Sequence, residues 1–480
     1  MISDELIYQI HSQFGFTPTA EQEEALHTFA SFMTDRDPHA VMILRGSAGT
    51  GKTSLAGAIV RTLTSLNQKV MLLAPTGRAA KVFSVNSGHP AFTIHRKIYR
   101  QRTFSGDGGQ FNLNDNLHTD TLFMIDESSM ITNEGLSETS FGSGRLLDDL
   151  VRFVYTGRNC RMLLIGDKAQ LPPVGEEESP ALNATVMAGY GLKVFQCDLN
   201  EVLRQSQDSG ILFNATIIRQ MITHDEATAL PHIRFSGFAD IKMVPGNELI
   251  ESLNSSYSEV GIDETMVITR SNKRANIYNQ GIRNTVLDRE EELTTGDMLM
   301  IVKNNYYWTE KQKSSIPFIA NGDRVRVQRV RNTRELYGFH FADLWLVFPD
   351  YDNLEMQATV ITDSLTTEAP ALTHEQNEQL FNKVMEDYSD IPLKPDRIRR
   401  IKQDDYFNAI QIKYAYAVTC HKAQGGQWSH IYLDQGYMTD EMLTPDYIHW
   451  LYTAFTRATE CLFLVNWPKT QTTSDSLPQD

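Results

Sequence analysis

The residues best suited to chemistry stand at Gly46 to Thr53, reading GSAGTGKT. The run fits G-x-x-x-x-G-K-[ST] and lies between an apolar stretch, Val41 to Leu44, and a stretch of helical spacing from about Lys52 to Leu63. Glycines let successive backbone N–H groups curl around phosphate oxygens, and the N-terminus of the following helix adds positive potential. Lys52 then places its charge on the β- and γ-phosphates, and the Thr53 hydroxyl is a Mg²⁺ ligand. Gly46, Ala48, Gly49, Thr50, Gly51, Lys52, Thr53 and Ser54 are the expected nucleotide-binding residues. The competing explanation, a chance match on a Gly-rich turn, loses to the strand–loop–helix context.

A second signal is Asp126-Glu127-Ser128-Ser129, directly after the apolar run Thr121 to Ile125. A carboxylate at the C-terminal edge of a strand can hold Mg²⁺, usually through water, so Asp126 joins Thr53 as an expected metal residue. Glu127 is then placed to orient and deprotonate an attacking water. An acidic pair alone is an ordinary solvated turn; its position after a buried strand, downstream of a phosphate loop, gives it meaning. A third sheet strand, Arg161 to Ile165, ends in GDKAQLPPVG, which puts Asp167 and Gln170 near the same edge, with Gln170 expected to sense the γ-phosphate. The bland alternative is a Pro-rich loop whose polar residues only cap the strand.

These groups need a scaffold, and the pattern around them supplies one. A helix over Glu21 to Met33, a strand at 41–44, a helix from about Lys52, and a strand over Lys69 to Leu73 alternate at the spacing of a parallel α/β sheet. Residues 96–118, RKIYRQRTFSGDGGQFNLNDNLH, interrupt this order with a Gly/Asp cluster between β-prone runs, which predicts a protruding hairpin. A second α/β unit is expected over 201–295 and 411–468, with a strand at Val267 to Thr269, a helix over Lys273 to Arg283, and a last strand at Cys461 to Val465. Between its halves, 296–410 alternates polar and apolar residues at Arg324 to Val327 and at Leu344 to Ile361, as in a small antiparallel β-domain. Inside it, 373–402 reads as helical and highly charged, ending in RIRRIK. The first unit is expected over 1–95 and 119–200, and a disordered tail over 469–480.

Length and composition agree. The chain has 480 residues, enough for about three domains, with 41% apolar and 22% charged residues. No apolar run reaches membrane-spanning length, and the N-terminal residues lack the pattern of a secretory signal. Four widely spaced cysteines, Cys160, Cys197, Cys420 and Cys461, exclude a disulfide framework and any CxxC metal site, and fit a reducing cytoplasm. The net charge is −16, from 44 basic and 60 acidic residues. A nucleic-acid partner must therefore be met by a local groove and not by the whole surface.

Taken together, the motifs resemble those of superfamily 1 DNA helicases, most closely the RecD-like 5′-to-3′ branch, in family order over residues 17–467. TPTAEQ (Thr17 to Gln22) is similar to the adenine-recognition motif, with Gln22 reading the base edge. GSAGTGKT resembles motif I. APTGRAA (Ala74 to Ala80) and TIH (Thr93 to His95) resemble the single-strand-contacting motifs Ia and Ib. DESSM, GDKAQLPPVG and LNEVLRQ (Leu199 to Gln205) resemble motifs II, III and IV. YAYAVTCHKAQGGQW (Tyr414 to Trp428) and YTAFTRA (Tyr452 to Ala458) resemble motifs V and VI. The chain departs at Ser128, where the family often has Ala or Cys, and in the length of 364–408.

The resemblance implies two RecA-like P-loop domains, a pin hairpin and a Src-homology-3-like β-barrel insertion. It implies an ATP- and Mg²⁺-dependent helicase, working on single-stranded DNA and duplex junctions and able to act as a monomer, in replication, repair or recombination. Lys52, Asp126, Glu127, Gln170, Arg204 and Arg457 are then the expected catalytic residues, the two arginines reaching the γ-phosphate from the second domain. Gly425 is expected to couple to nucleotide, and Thr76, Arg78, Thr93, His95, Asn272, Thr419, His421 and Lys422 to contact DNA. Lys81, Arg274 and the hairpin aromatics Tyr99, Phe104 and Phe111 are further candidates, each with a plain structural alternative: a solvated helix start for Arg274, hairpin packing for the aromatics. Other classes stay open from residues alone. A P-loop ATPase acting on protein would normally lack TIH and CHKAQG. A binder that had lost its ATPase should not keep Lys52, Thr53, Asp126 and Glu127.

Overall fold

The computed structural model describes residues 2–101, 111–135, 142–202, 208–224, 229–316 and 318–473. The first lobe is built on β1 (Ala40–Gly46), β2 (Lys69–Ala74), β3 (Ala91–Thr93), β6 (Thr121–Ile125), β7 (Arg161–Gly166) and β8 (Lys193–Leu199). They form one sheet in the order β3-β2-β6-β7-β1-β8, and every pair is parallel. A parallel sheet is covered on both faces, so its central strands are continuously apolar. Met42, Leu44, Leu72 and Met124 pack into one core, and Val41, Ile43, Leu73 and Phe123 into the core of the opposite face.

Between β3 and β6 the chain makes a short helix, Ile94–Ile98, and an antiparallel pair, β4 (Tyr99–Gln101) with β5 (Phe111–Leu113). The hairpin therefore starts at 99 and not at 96, because Thr93 caps a helical turn by accepting from the Arg96 amide. Its tip, 102–110 with Phe104, lies outside the described residues. Tyr99 and Phe111 are 6% and 2% exposed, so packing wins over base stacking for both. Phe111 meets Tyr306 at 4.4 Å between ring centroids, which seats the hairpin on the inserted β-domain.

The second lobe carries β9 (Ile241–Val244), β10 (Thr265–Thr269), β16 (Ala417–Thr419), β17 (Trp428–Asp434) and β18 (Ala458–Val465), a parallel sheet in the order β16-β10-β17-β18-β9. The helix Gly210–His224 belongs here, since Ile211, Ala215 and Ile218 pack into this lobe's core.

The insertion is a closed five-stranded barrel of β11 (Met298–Ile301), β12 (Arg324–Leu336), β13 (Phe339–Phe348), β14 (Leu354–Ile361) and β15 (Ile410–Tyr414). Its end is at Tyr414 and not at 410, because β15 closes the barrel against β11 before Tyr416 joins the second lobe. β14 and β15 pair in parallel, and a parallel pair needs a long return path. The helices His374–Asp387 and Lys394–Ile401 are that path. They bury Leu380, Val384 and Ile401 against Phe339 and Phe341 in a separate small core. Of RIRRIK, Arg399 and Arg400 face outward, Arg399 paired to Asp396, while Ile401 packs into that core.

The expected tail also begins later than 469. Lys469–Gln471 is a 3-10 turn, Gln471 is buried on Gln435, and Thr472 bridges to Ile233. Residues from 474 lie outside the described set. Among the described residues no helix is long and apolar enough to cross a membrane. All four cysteines are buried and unpaired.

Candidate functional site: a cleft and a channel between two lobes

β6, β7 and β1 are adjacent in the first sheet, so the loops after them converge at one edge. There a cavity of about 260 Å³ is lined by Lys52, Thr53, Asp126, Glu127, Asp167 and Gln170 from the first lobe and by Gly425 and Arg457 from the second. Gly49 and Gly51 hold φ of 77° and 81°, the left-handed region that lets the phosphate loop turn its amides inward. Lys52 Nζ donates to the Gly46 and Ser47 carbonyls and must leave them to meet a phosphate. Gln22 lies behind the loop. Its amide accepts from the Thr19 N–H and donates to the Thr50 carbonyl at 2.9 Å, so in this arrangement it braces the phosphate loop, and it must release Thr50 to donate to a base.

Asp126 and Glu127 stand side by side. Burial, and then the charge of Glu127, push the Asp126 carboxyl up to about 7. A buried acid pair of this kind gains from a divalent cation, so Asp126 with the Thr53 hydroxyl fits Mg²⁺; phosphate oxygens and water complete such a shell. Among the described residues there is no cluster of three or more ligating side chains, so the protein offers this site and no closed cage. Glu127 has φ 51°, a strained backbone for a non-glycine residue. It is held there because its N–H donates to Asp126 Oδ1 and its carbonyl accepts from the Met130 amide. Ser128 is fully buried and donates to the Ile125 carbonyl, so the hydroxyl that distinguishes this motif is satisfied.

Arg457 enters from the second lobe with 2% exposure. It donates to the Thr453 and Gly426 carbonyls and faces Glu127 Oε1 at 3.8 Å. Gln170 sits between them: with its amide nitrogen toward Glu127 Oε2 (3.2 Å), its oxygen accepts from Arg457 Nη2 (3.1 Å). Arg204, the other expected arginine, lies outside the described residues.

Three further side chains, unread in the sequence as site residues, join the lobes. Tyr452 accepts from the Ala48 N–H at 3.0 Å and donates to Asp167 Oδ2 at 2.6 Å. Thr453 accepts from the Leu171 N–H. Arg219, on the helix Gly210–His224, donates to Ser47 Oγ at 2.9 Å. Tyr452 and Thr453 sit inside YTAFTRA, the motif whose arginine is Arg457. Arg219 carries no local signal, since only packing brings its helix to the phosphate loop.

A second cavity, about 320 Å³, lies between the lobes and under the barrel. It gathers Thr76, Arg78, Thr93, His95, His421 and Lys422 of the expected DNA residues. Asn272, Thr419 and His421 line a shallower continuation. Thr76 and Thr93 each cap a helix by accepting an amide. Burial lowers His95 to about 4, which keeps it neutral at neutral pH, and holds Lys422 near 8. Arg78 is engaged by Glu264, Asp350 and the Gln427 carbonyl, and Lys81 by the Pro349 carbonyl. Arg274 pairs with Asp434 at 2.7 Å at the start of its helix.

The two cavities touch. Gln424, on the channel wall, donates to the Leu171 carbonyl beside Gln170. Gly425, φ 74°, lies in contact range of Thr76, where a side chain would crowd Ala79 and Met130.

Two family models match this chain: an AAA domain over residues 17–226 and a UvrD-like helicase C-terminal domain over 414–465. The chain is 27% identical over 327 residues to the ATP-dependent RecD2 DNA helicase of Deinococcus radiodurans, covering 66% of this chain and 41% of that protein. It is 25% identical over 319 residues to the ATP-dependent DNA helicase dda of phage T4, covering 64% of this chain and 67% of that protein. The match therefore spans less than half of the RecD2 relative. A Bacteroides Pif1 helicase solved with ADP-AlF3 and ssDNA aligns over 96% of this chain and 95% of that one, at 14% identity and TM-score 0.45. Fold and site define a two-lobed P-loop protein with a barrel insertion. In sequence the chain is similar to the ATP-dependent DNA helicases RecD2 and dda, in line with the RecD-like resemblance of its motifs.

Proposed function

We propose that this protein is an ATP-dependent DNA helicase, the activity for which its RecD2 and dda relatives are named, and that it moves along single-stranded DNA in the 5′-to-3′ direction and unwinds duplex ahead of it. One observation carries the reading. A phosphate loop and an acid pair from one lobe, and a buried arginine from the other, face a single cleft whose walls continue into a channel between the same lobes. A nucleotide there bridges the lobes, and losing its terminal phosphate removes what Arg457 clamps.

The steps follow from the residues. Lys52 leaves the Gly46 and Ser47 carbonyls and takes the β- and γ-phosphates. Mg²⁺, held by Thr53 and Asp126, supplies charge neutralisation at the phosphates when bound. Glu127 accepts the proton of the attacking water, oriented by the strained turn at its α-carbon. Gln170 reports the state of Glu127 and Arg457 to Leu171, whose amide and carbonyl are held by Thr453 and Gln424. Gln424 passes the change to the channel, where one lobe advances along the strand. The hairpin, seated on the barrel through Phe111, meets the junction.

The test is strand displacement on matched duplexes with 5′ or 3′ single-stranded tails, with ATP hydrolysis followed alongside. Displacement of the 5′-tailed substrate and hydrolysis stimulated by single strands are expected. Hydrolysis indifferent to DNA would refute the reading, and displacement from the 3′ tail would reverse the polarity.

A further inference from the structure

Arg324 opens β12, where Val325 and Val327 turn into the barrel and Arg324 and Arg326 turn out. Arg326 is half exposed and meets Asp263. Arg324 is different. It is 6% exposed, lines the channel cavity, and has no ion pair among the described residues. Among the described residues its side chain makes one hydrogen bond, a 3.4 Å contact to the Asp263 carbonyl, and its Nε has no partner. The position is rigid: Arg324 pairs with Met300 across the barrel, and Asp323 before it is pinned by the Ala320 amide and the Tyr351 hydroxyl.

The surroundings repeat the pattern. Trp428, 2% exposed, has the guanidinium carbons of Arg324 and Arg78 at 5.8 and 5.7 Å from its ring centroid. Among the described residues the Trp428 indole N–H and Arg78 Nε are also buried without partners. Three donors from three parts of the molecule, barrel, second lobe and first lobe, thus stand unsatisfied around one cavity. Asp350, Asp263 and Glu264 offset part of the Arg324 charge without forming an ion pair with it, and the buried unpaired donors remain costly. A phosphate entering the cavity would give those donors a partner.

We propose that Arg324, with the Trp428 indole N–H and Arg78, forms a seat for a backbone phosphate of the tracked single strand, which makes the barrel a third, charged wall of the DNA path. This rests on the helicase reading. Guanidinium and N–H donors match phosphodiester oxygens, and the aromatic plane keeps the two guanidinium groups spaced.

The test is anisotropy of fluorescein-labelled oligo(dT) binding to the full chain across a salt series, with thermal melting of the same samples. Arg324→Ala and the bulkier Arg324→Gln are each expected to weaken binding about tenfold near 0.1 M salt. Each is also expected to flatten the slope of log affinity against log salt by about 0.7, the share of one phosphate contact on a single strand. Arg324→Lys is expected to keep the slope, and Arg326→Ala to match wild type. An unchanged slope in both Arg324→Ala and Arg324→Gln overturns the seat, and a lowered melting temperature with that unchanged slope assigns Arg324 to lobe packing. Wild-type protein that fails to bind oligo(dT) at all sinks the helicase reading itself, a separate result.

Discussion

The two cavities between the lobes hold their charges in opposite ways. In the nucleotide cleft, Lys52 and Arg457 rest mainly on backbone carbonyls, and burial, with the charge of Glu127 beside it, lifts the Asp126 carboxyl. Such groups exchange weak partners for a phosphate without breaking the fold, so the cleft is organised before its ligand arrives. In the channel, most cations are spent on other parts of the protein: Arg78 on Glu264 and Asp350, Lys81 on Pro349, Lys422 on Asn321. A strand must displace these contacts or use the few donors that lack them. The cleft is thus preorganised, while the channel trades lobe-to-lobe contacts for DNA.

The largest test of this contrast is Lys52→Ala. DNA-stimulated hydrolysis is expected to fall roughly 10³-fold or more with the melting temperature unchanged, because the lysine holds only carbonyls in the free protein. Glu127→Gln should lower turnover by about 10²- to 10⁴-fold in single-turnover assays while ATP affinity stays within a factor of a few. Retained turnover in either variant breaks the cleft assignment.

Phe111→Ala removes a buried ring worth about 3–5 kcal/mol of local packing, so strand displacement should drop far more than hydrolysis. If both drop equally, the hairpin does not act as a wedge seated on the barrel. Arg219→Ala deletes a charge-assisted bond to Ser47 and should lower kcat/KM for ATP about five- to thirtyfold, with DNA affinity in the absence of nucleotide unchanged. A loss of DNA affinity instead would erase the division between the two cavities.

The smallest effect concerns Asp126. Its folded value, raised to about 7, lies above its ordinary 3.8, so the native state binds more protons than the unfolded chain in between. Stability from this group therefore falls as pH rises from about 4 to about 7. Metal-free protein should melt a few degrees lower at about pH 8 than at about pH 5.5, and Asp126→Asn should remove part of that difference. A difference of the opposite sign that Asp126→Asn removes would show that Asp126 is not strained in the free protein.

Much of the cleft was legible because its chemistry lives in contiguous runs. GSAGTGKT, DESSM and GDKAQ each follow an apolar strand, and a strand's C-terminal end faces the site by construction in a parallel sheet. Arg457 was legible through its place in the YTAFTRA motif. No local pattern showed that in the free protein Gln22 would brace Thr50 or that Arg274 would pair with Asp434. Arg219 and Arg324 were passed over, because they stand on an ordinary amphipathic helix and on an alternating strand.

The amino-acid order determined the two parallel sheets, the inserted barrel and the residues at the sheet edges, since hydrophobic period and glycine placement act within a few residues. Only the tertiary structure decided which cations meet phosphate and which meet carboxylate. A charged side chain carries no local mark of its partner, and the contacts that join Arg78 to Asp350, Tyr452 to Ala48 and Trp428 to Arg324 link residues far apart in the chain. That choice belongs to the packing of lobes and barrel, where burial makes an unpaired charge costly and so selects its partner.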